Sequence, residues 1–396
     1  MTQPFDLNLR HLRAVPLIVR RGSMSAAADA AGLSQPALTQ GLAKIERQLG
    51  VSLFERRPGG MAATPEGATF AARIEAAFAQ LAAGARSISR GGRGFTRPEA
   101  LMTATQLRAF IALVDAGSFV EAARATGWSQ PALHRAVRDL EQLGAVPLVE
   151  RRGRGVVLTA DGRRLARGVR LAGADLAAAI TDLRPDAGAA GRLVVGAMPL
   201  SRARVLPAAI AALVRHAPGA TIDVIEGSWR ELVDPLRDGV IDLMIGALRE
   251  EAPVGLEQEP LFADRVAVVA RTGHPLATGA TPDLDALARY PWIVGSTSTP
   301  LRGHWHAMFA GRSPPPAPIE CGSVMTIRGI LLDSDCLTLL SPDQIALEVE
   351  AGLLRVICTP PGDVTRTIGI TTRGGWRPTT LQARFVDLLR DSGGHA

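Results

Sequence analysis

Ser34-Gln35-Pro36-Ala37-Leu38 returns 95 residues later as Ser129-Gln130-Pro131-Ala132-Leu133. The same interval carries Leu12-Arg13-Ala14 onto Leu107-Arg108-Ala109 and Gly22-Ser23 onto Gly117-Ser118. It also carries Glu55-Arg56-Arg57 onto Glu150-Arg151-Arg152, Thr64 onto Thr159 and Gly67 onto Gly162. An interval that holds without a gap marks a duplicated module.

Each copy reads as a winged helix-turn-helix. In the second, Thr105 is the expected cap of a helix through Leu107, Phe110, Ile111 and Val114 that stops at Gly117. A short helix from Val120 to Thr126 ends at Gly127, and Ser129 caps a third, with Pro131 tolerated in its first turn. A tight turn between two helices makes the third the one that lies in a major groove. Val146–Arg152 and Val156–Thr159, around Gly153-Arg154-Gly155, form the hairpin wing. The first copy repeats it from Val51 to Thr64, but Pro16 falls inside its first helix, which predicts a late start or a kink.

The candidate DNA contacts follow from exposed positions of the third helices and from the wing tips. In the second copy they are Ser129, Gln130, Pro131, His134, Arg135 and Arg138, with Arg151, Arg152 and Arg154 on the wing. In the first they are Ser34, Gln35, Pro36, Thr39, Gln40 and Lys44, with Arg56 and Arg57. Arginine pairs bidentately with guanine and glutamine with adenine. Gln40 stands where the second copy has Arg135, and Ala43 where it has Arg138, so the two heads are expected to prefer different half-sites, or the first to bind more weakly.

A capping hydroxyl followed by an acid opens a long helix after each copy, at Thr64-Pro65-Glu66 and Thr159-Ala160-Asp161. Phe70, Ile74, Ala77, Leu81 and Ile88, and likewise Leu165, Val169, Ala172, Leu176, Ile180 and Leu183, recur at coiled-coil spacing. Pairing of these helices, antiparallel within one chain or between two chains, is expected. The connector Arg90–Pro98 is long enough for the short return that the first arrangement needs.

At 396 residues the chain has room for two to four domains, and no apolar run is long enough to span a bilayer. Residues 1–185 hold 25 basic against 15 acidic residues, a net of +10, while the remainder is net −4. A basic first half is suited to a polyanion. No secretory signal is visible, and Cys321, Cys336 and Cys358 lie far apart, which fits a reducing cytoplasm better than a disulfide framework or a zinc site.

From Gly191 strands alternate with helices: Arg192–Ala197, Val205–Arg215, Thr221–Glu226, Arg230–Arg237 and Ile241–Gly246, then strands at Arg265–Ala270, Trp292–Val294, Leu337–Leu340 and Thr367–Thr371. This predicts a mostly parallel sheet covered by helices. Anion-suited positions at strand ends and helix starts are Ser201 and Arg202, then Ser296, Thr297, Ser298 and Thr299 with Arg302, and Ser323. Hydroxyls beside arginine suit a small carboxylate effector. His304-Trp305-His306 lacks a partnering ligand set, so no metal is expected, and no cofactor or catalytic motif is present to make this an enzyme.

Over nearly its whole length the chain resembles LysR-type transcriptional regulators. The resemblance rests on Gly117-Ser118-Phe119, Ser129–Leu133, Leu140-Glu141, Leu148–Arg151 and Leu158-Thr159, supported by Gly239–Gly246 and Gly273-His274-Pro275-Leu276. It implies a two-lobed, periplasmic-binding-protein-like α/β effector domain behind the two mainly α winged helix-turn-helix domains, each followed by a long linker helix, that the repeat itself gives. It also implies a homo-oligomer, dimer or tetramer, that binds double-stranded promoter DNA, bends it and answers to a small molecule between the lobes. RNA polymerase is a further candidate partner.

Two departures stand out: the family carries one head per chain, and Asp333-Ser334-Asp335-Cys336 replaces a Gly-rich turn at what is expected to be an edge of the cleft. Met102 begins a segment like an ordinary family N-terminus, so a 295-residue single-headed product is a further expectation. The expected domains are 7–65, 66–101, 102–160, 161–187 and 191–396, with lobe I at 191–265 and 370–396 and lobe II at 266–369. The competing readings are a cytoplasmic solute-binding protein and a ligand-independent architectural DNA-binding protein.

Overall fold

A computed structural model describes residues 3–58, 60–86, 98–153, 155–184, 188–198, 204–297, 299–361 and 364–393. It divides into two compact units, essentially residues 1–187 and the remainder.

The first unit contains the same run of elements twice. Helices α1 (Leu9–Arg21), α2 (Met24–Ala31) and α3 (Gln35–Leu49) lead to the hairpin β1 (Phe54–Arg57) and β2 (Gly60–Ala63), then to the long helix α4 (Pro65–Ala85). After a single turn, α5 (Pro98–Leu101), come α6 (Ala104–Ala116), α7 (Phe119–Thr126), α8 (Gln130–Gly144), the hairpin β3 (Val149–Arg152) and β4 (Gly155–Leu158), and α9 (Ala160–Asp182).

Caps fall in matching places. Ser23, Ser34 and Thr64 cap α2, α3 and α4, as Ser118, Ser129 and Thr159 cap α7, α8 and α9. The cap of α6 is Thr103, not Thr105. Gln106 stands three residues on from Thr103, and its side chain accepts from the Thr103 N–H to complete a capping box. Asn8 holds the same place in the first copy, so α1 starts at Leu9 and not late. It runs to Arg21 with Pro16 inside it, and Leu12, Val15, Pro16 and Ile18 are all buried, so core packing offsets the hydrogen bond that the proline cannot make.

One carboxylate ties each third helix to its wing. Glu46 Oε1 accepts from the N–H groups of Leu53 (2.8 Å) and Phe54 (3.3 Å), and Glu141 Oε1 accepts from those of Leu148 (2.8 Å) and Val149 (3.2 Å). The turn before α2 holds the far strand, since Gly22 O accepts from Met61 N at 2.8 Å and Gly117 O from Val156 N at 2.9 Å.

The third helices end differently. Gly50 closes α3 in the left-handed region, but Ala145 closes α8 there with φ 51°. A side chain in that conformation costs roughly 1–2 kcal/mol, against which glycine's extra unfolded-chain entropy counts for less. Ala145→Gly is expected to stabilise α8 by about 1 kcal/mol. Slower exchange of the α8 amides would register it, and unchanged or faster exchange would contradict it.

The predicted seams are buried. Phe70, Ile74, Ala77 and Leu81 of α4, and Leu165, Val169, Ala172, Leu176 and Ile180 of α9 with Leu183 just beyond, join one core with Leu12 and Leu107. Ile88 lies outside the described residues. The two helices pack antiparallel on each other: Gly84 meets Gly168 at one end and Arg73 meets Asp182 at the other.

The second unit has two sheets. In the first lobe, β5 (Ala190–Ala197), α10 (Val205–His216), β6 (Gly219–Glu226), α11 (Trp229–Arg237), β7 (Leu243–Ala247) and β8 (Leu256–Arg265) are followed, across the second lobe, by β14 (Thr365–Arg373) and α16 (Thr380–Gly393). The second lobe holds β9 (Ala267–Arg271), α12 (Leu284–Ala288), β10 (Trp292–Val294), α13 (Pro300–Met308), β11 (Ile319–Glu320), α14 (Val324–Leu332), β12 (Leu337–Leu340), α15 (Ala346–Glu350) and β13 (Leu354–Cys358).

The sheets are mixed rather than mostly parallel. Their orders are β6-β5-β7-β14-β8 and β11-β10-β12-β9-β13, and β14, β8, β9 and β13 enter antiparallel pairings. These strands carry the chain between lobes or cap a sheet, and β8 and β13 alternate too weakly to stand out in the sequence. Because β14 pairs along its length with β7 and β8, the return to the first lobe falls at Thr365 rather than 370. Leu193, Val195, Leu213 and Phe385 fill the first lobe; in the second, Phe309 meets both Trp292 and Trp305 edge to face, and the two tryptophans are tilted to each other. Among the described residues no helix is long and apolar enough to cross a membrane.

Candidate nucleic-acid interface and effector cleft

The third helices present polar faces at the expected positions. Ser34, Gln35, Pro36, Thr39, Gln40 and Lys44 are exposed on α3, as are Ser129, Gln130, Pro131, Arg135 and Arg138 on α8. Ser34 and Ser129 each accept weakly from the N–H three residues on (3.4 Å). Thr39 Oγ1 donates to Gln35 O at 2.9 Å.

His134 departs from expectation. Its ring is half-buried and stacks on Phe119, centroids 3.6 Å apart and planes within 18°. Burial, with the charges of Arg151 and Arg138 adding, holds its pKa below the ordinary value, so the imidazole is neutral at pH 7. Arg138 of the recognition helix and Arg151 of the wing thus both lie near enough to this imidazole to disfavour its protonation. The aromatic partner lies one helix earlier, which spacing within α8 could not reveal.

The first copy has a weaker version. Thr39 and Ala43 stand where the second has His134 and Arg138, and Arg57 of the wing is paired to Glu55 (Nε to Oε1 3.1 Å). Lys44 lies beside His11, whose pKa is lowered by burial and by that lysine. Arg56, Arg151 and Arg152 are exposed, and Arg154 lies outside the described residues.

In the second unit, β10, β11 and β12 run parallel, so the loops after them gather at one edge of the sheet. The first contains Ser296, Thr297 and Thr299, with Arg302 one turn into α13; the second contains Ser323; the third leads through Ser341 to Asp343. Ser201, Arg202 and Ser298 lie outside the described residues. Thr299 Oγ1 donates to Ser296 O (2.7 Å) and does not cap α13, whereas Ser323 caps α14 by accepting from Thr326 N (3.3 Å).

Arg302 is already engaged. Its Nε donates to His306 Nε2 (3.1 Å), Nη1 reaches Gly295 O (3.4 Å), and Glu320 is 3.8 Å away. Glu320 and Arg204, which reaches Asp343 across the lobes at 3.6 Å, were not among the sequence candidates. A two-residue strand and a charge beside a loop carry no pattern that would have singled them out.

The Asp333–Cys336 turn is not at this edge. It enters β12 at its N-terminal end, where Asp335 pairs with Arg271 (2.7 Å) and its carbonyl meets His274 Nε2 (3.2 Å). The antiparallel β9 brings its C-terminus to that end of the sheet, away from the strand ends that hold Ser296 and Ser323.

Residues 186–394 match the family described as LysR substrate binding domain. Residues 9–68 and 104–163 each match the bacterial regulatory helix-turn-helix protein, lysR family. The chain is 33% identical over 389 residues to the HTH-type transcriptional regulator GalR of Pseudomonas putida, covering 97% of this chain and 96% of GalR. It is 27% identical over 292 residues to the HTH-type transcriptional regulator PcaQ of Agrobacterium fabrum, covering 73% of this chain and 94% of PcaQ. Of solved structures, full-length OxyR of Pseudomonas aeruginosa aligns with TM-score 0.57 at 25% identity, over 74% of this chain and 97% of OxyR. LysG of Corynebacterium glutamicum with bound effector Arg shares the fold, with TM-score 0.55 at 20% identity over 73% of this chain and 97% of LysG.

Proposed function

The chain belongs to the LysR family of DNA-binding transcriptional regulators, effector domain included, and on that footing we propose that it reads promoter DNA with two heads, 7–65 and 102–160. The observation that carries this is the pair of matched modules, each with an exposed recognition helix tied to an arginine-bearing wing. The similarity to GalR extends through both modules, whereas that to PcaQ covers only 73% of this chain. Gln35, Gln40 and Lys44 of the first head and Gln130, Arg135 and Arg138 of the second are the base-reading candidates. Arg56, Arg57, Arg151 and Arg152 are the backbone or minor-groove contacts.

The effector in this reading is a small carboxylate held where the loops after β10 and β11 converge, by Ser296, Thr297, Thr299, Arg302 and Ser323. Binding there would exchange the Arg302 contacts with His306 and Glu320 for a charge-assisted pair. A ligand that favours one arrangement of the regulator by its differential affinity then changes promoter occupancy.

The test is fluorescence anisotropy with the promoter fragment beside the protein's own gene and with random DNA, at about 0.15 M salt because the non-specific component is strongly salt-dependent. Full-length protein is expected to prefer the promoter. Arg135→Ala and Arg138→Ala are each expected to lose about 1–3 kcal/mol of that preference, roughly 5- to 150-fold. Equal binding to both fragments overturns the reading.

A further inference from the structure

The two long helices are complementary to each other in a way that copies of either one are not. At one crossing, α4 and α9 touch backbone to backbone: a Cβ added at Gly168 would lie 2.7 Å from Gly84 Cα, and one added at Gly84 would lie 2.8 Å from Gly168 Cα. At the other, Arg73 donates from Nε and Nη2 to Asp182 Oδ2 (3.2 and 2.8 Å), with both side chains nearly withdrawn from solvent. Buried pairs of this kind are costly to break because the remaining partner is left uncompensated.

The repeat interval shows what a self-pairing would do. It maps Gly168 onto Arg73 and Gly84 onto Ala179, so the two crossings are the same place related by a pseudo-twofold axis. Two copies of α4 would set Arg73 against Gly84 at both crossings and so lose the close glycine–glycine approach. They would also leave the guanidinium without its acid, since Ser87 stands where the second copy has Asp182. Two copies of α9 would set Ala179 against Gly168, again losing the glycine–glycine approach, and would put Gly168 where Asp182 now has Arg73.

The short segments that lead into α1 and α6 obey the same axis. The residues before α1 pack on α6 and α9, with Phe5 against Gly173 and Asp6 paired to Arg108 (3.1 Å), while α5 packs on α1 and α4.

We propose that this pairing makes each chain a self-contained pair of unlike heads, so that a single chain recognises an operator of two unlike half-sites rather than an inverted repeat. This rests on the reading that both heads bind DNA. At four matching exposed or half-exposed positions of the recognition helices the first head has Thr39, Gln40, Ala43 and Lys44, and the second has His134, Arg135, Arg138 and Asp139. Position 44 even reverses charge. A glutamine-led helix favours adenine and an arginine-led helix guanine, so one inverted repeat cannot satisfy both. In the family as the resemblance describes it, one head per chain makes identical heads the rule; here the helices themselves enforce the mixed pair.

The test combines charge reversal with operator redesign, in the full chain. R73D and D182R are each expected to weaken operator binding at least tenfold, and the R73D/D182R double variant to recover most of it. Co-expression of the R73D chain with the D182R chain is expected to recover none, because pairing within a chain never brings the two reversed charges together. Recovery in the co-expressed mixture would show pairing between chains and overturn the proposal.

Should the single variants not fold, the unmodified protein supplies the second measurement, using its native operator and two synthetic inverted repeats, one from each half. The native operator is expected to bind at least tenfold more tightly than either repeat. Equal affinity for one of the repeats would overturn the proposal, while indifference to all three and to random DNA would instead remove the reading on which it rests.

Discussion

Gly162→Val is expected to leave the chain gripping half of its operator, and Gly67→Val to leave it gripping the other half, if both heads read DNA as proposed. These glycines open α9 and α4 directly beneath the wings. A Cβ at Gly67 would lie 1.9 Å from Leu53 O and one at Gly162 would lie 2.0 Å from Leu148 O. Neither carbonyl can retreat easily, because each accepts the N–H of the capping threonine at 3.0 Å: Leu53 from Thr64 and Leu148 from Thr159. Valine must therefore pull wing and long helix apart, at about 3 kcal/mol, the upper end of the ordinary range for overpacking.

Two tethered heads gain roughly 10²–10⁴-fold over one, and each variant is expected to lose a factor of that order while footprinting shows one half of the protected region gone. An unshortened footprint for Gly67→Val would mean that the first module does not read DNA. Gly22→Ala, where an added Cβ has its nearest neighbour at 3.8 Å but the backbone sits at φ 63°, is a milder control for strain without overlap.

Asp264→Ala is expected to unfold the effector domain at markedly lower denaturant, a loss of about 3–5 kcal/mol. Asp264, one residue from the end of β8, faces Arg366 near the start of β14, register partners on the two strands that carry the chain between the lobes. Arg366 Nε donates to Asp264 Oδ2 at 2.6 Å, and their side chains are 9% and 6% exposed. Burial alone pushes the arginine pKa down, and the aspartate opposes that shift, so removing the acid strands a cation in a nearly dry site. Replacing both residues with leucine is expected to restore most of the loss, since an apolar pair of similar size carries no uncompensated charge. Trp292 and Trp305 in the second-lobe core report the transition by fluorescence. A single variant as stable as the parent would refute this account of the crossover.

The head was legible because its information is local. Serine and threonine caps, glycines in the left-handed region and an unbroken 95-residue interval are written within a few turns of where they act. Even the misplaced cap at Thr105 was a local error, two residues from the capping box that Thr103 and Gln106 form. The cleft was less legible. Ser296, Thr297, Thr299 and Ser323 gather at one edge because β10, β11 and β12 are parallel, but the strands that turn the sheets mixed carry weak alternation. His134 was misjudged for a similar reason: its neighbour on α8 is solvent, while its neighbour in space is Phe119.

The linker helices divide the two kinds of information most sharply. Periodicity in the chain determined that each has one apolar face, because the α-helical repeat places every third or fourth residue on the same side. It could not determine which helix that face meets, since Leu165 or Phe70 would bury equally well against any comparable stripe. Only the tertiary structure decided the partner and its direction. That choice is made by contacts between residues far apart in sequence, the close approach of Gly84 to Gly168 and the buried pair of Arg73 with Asp182, which periodicity does not encode.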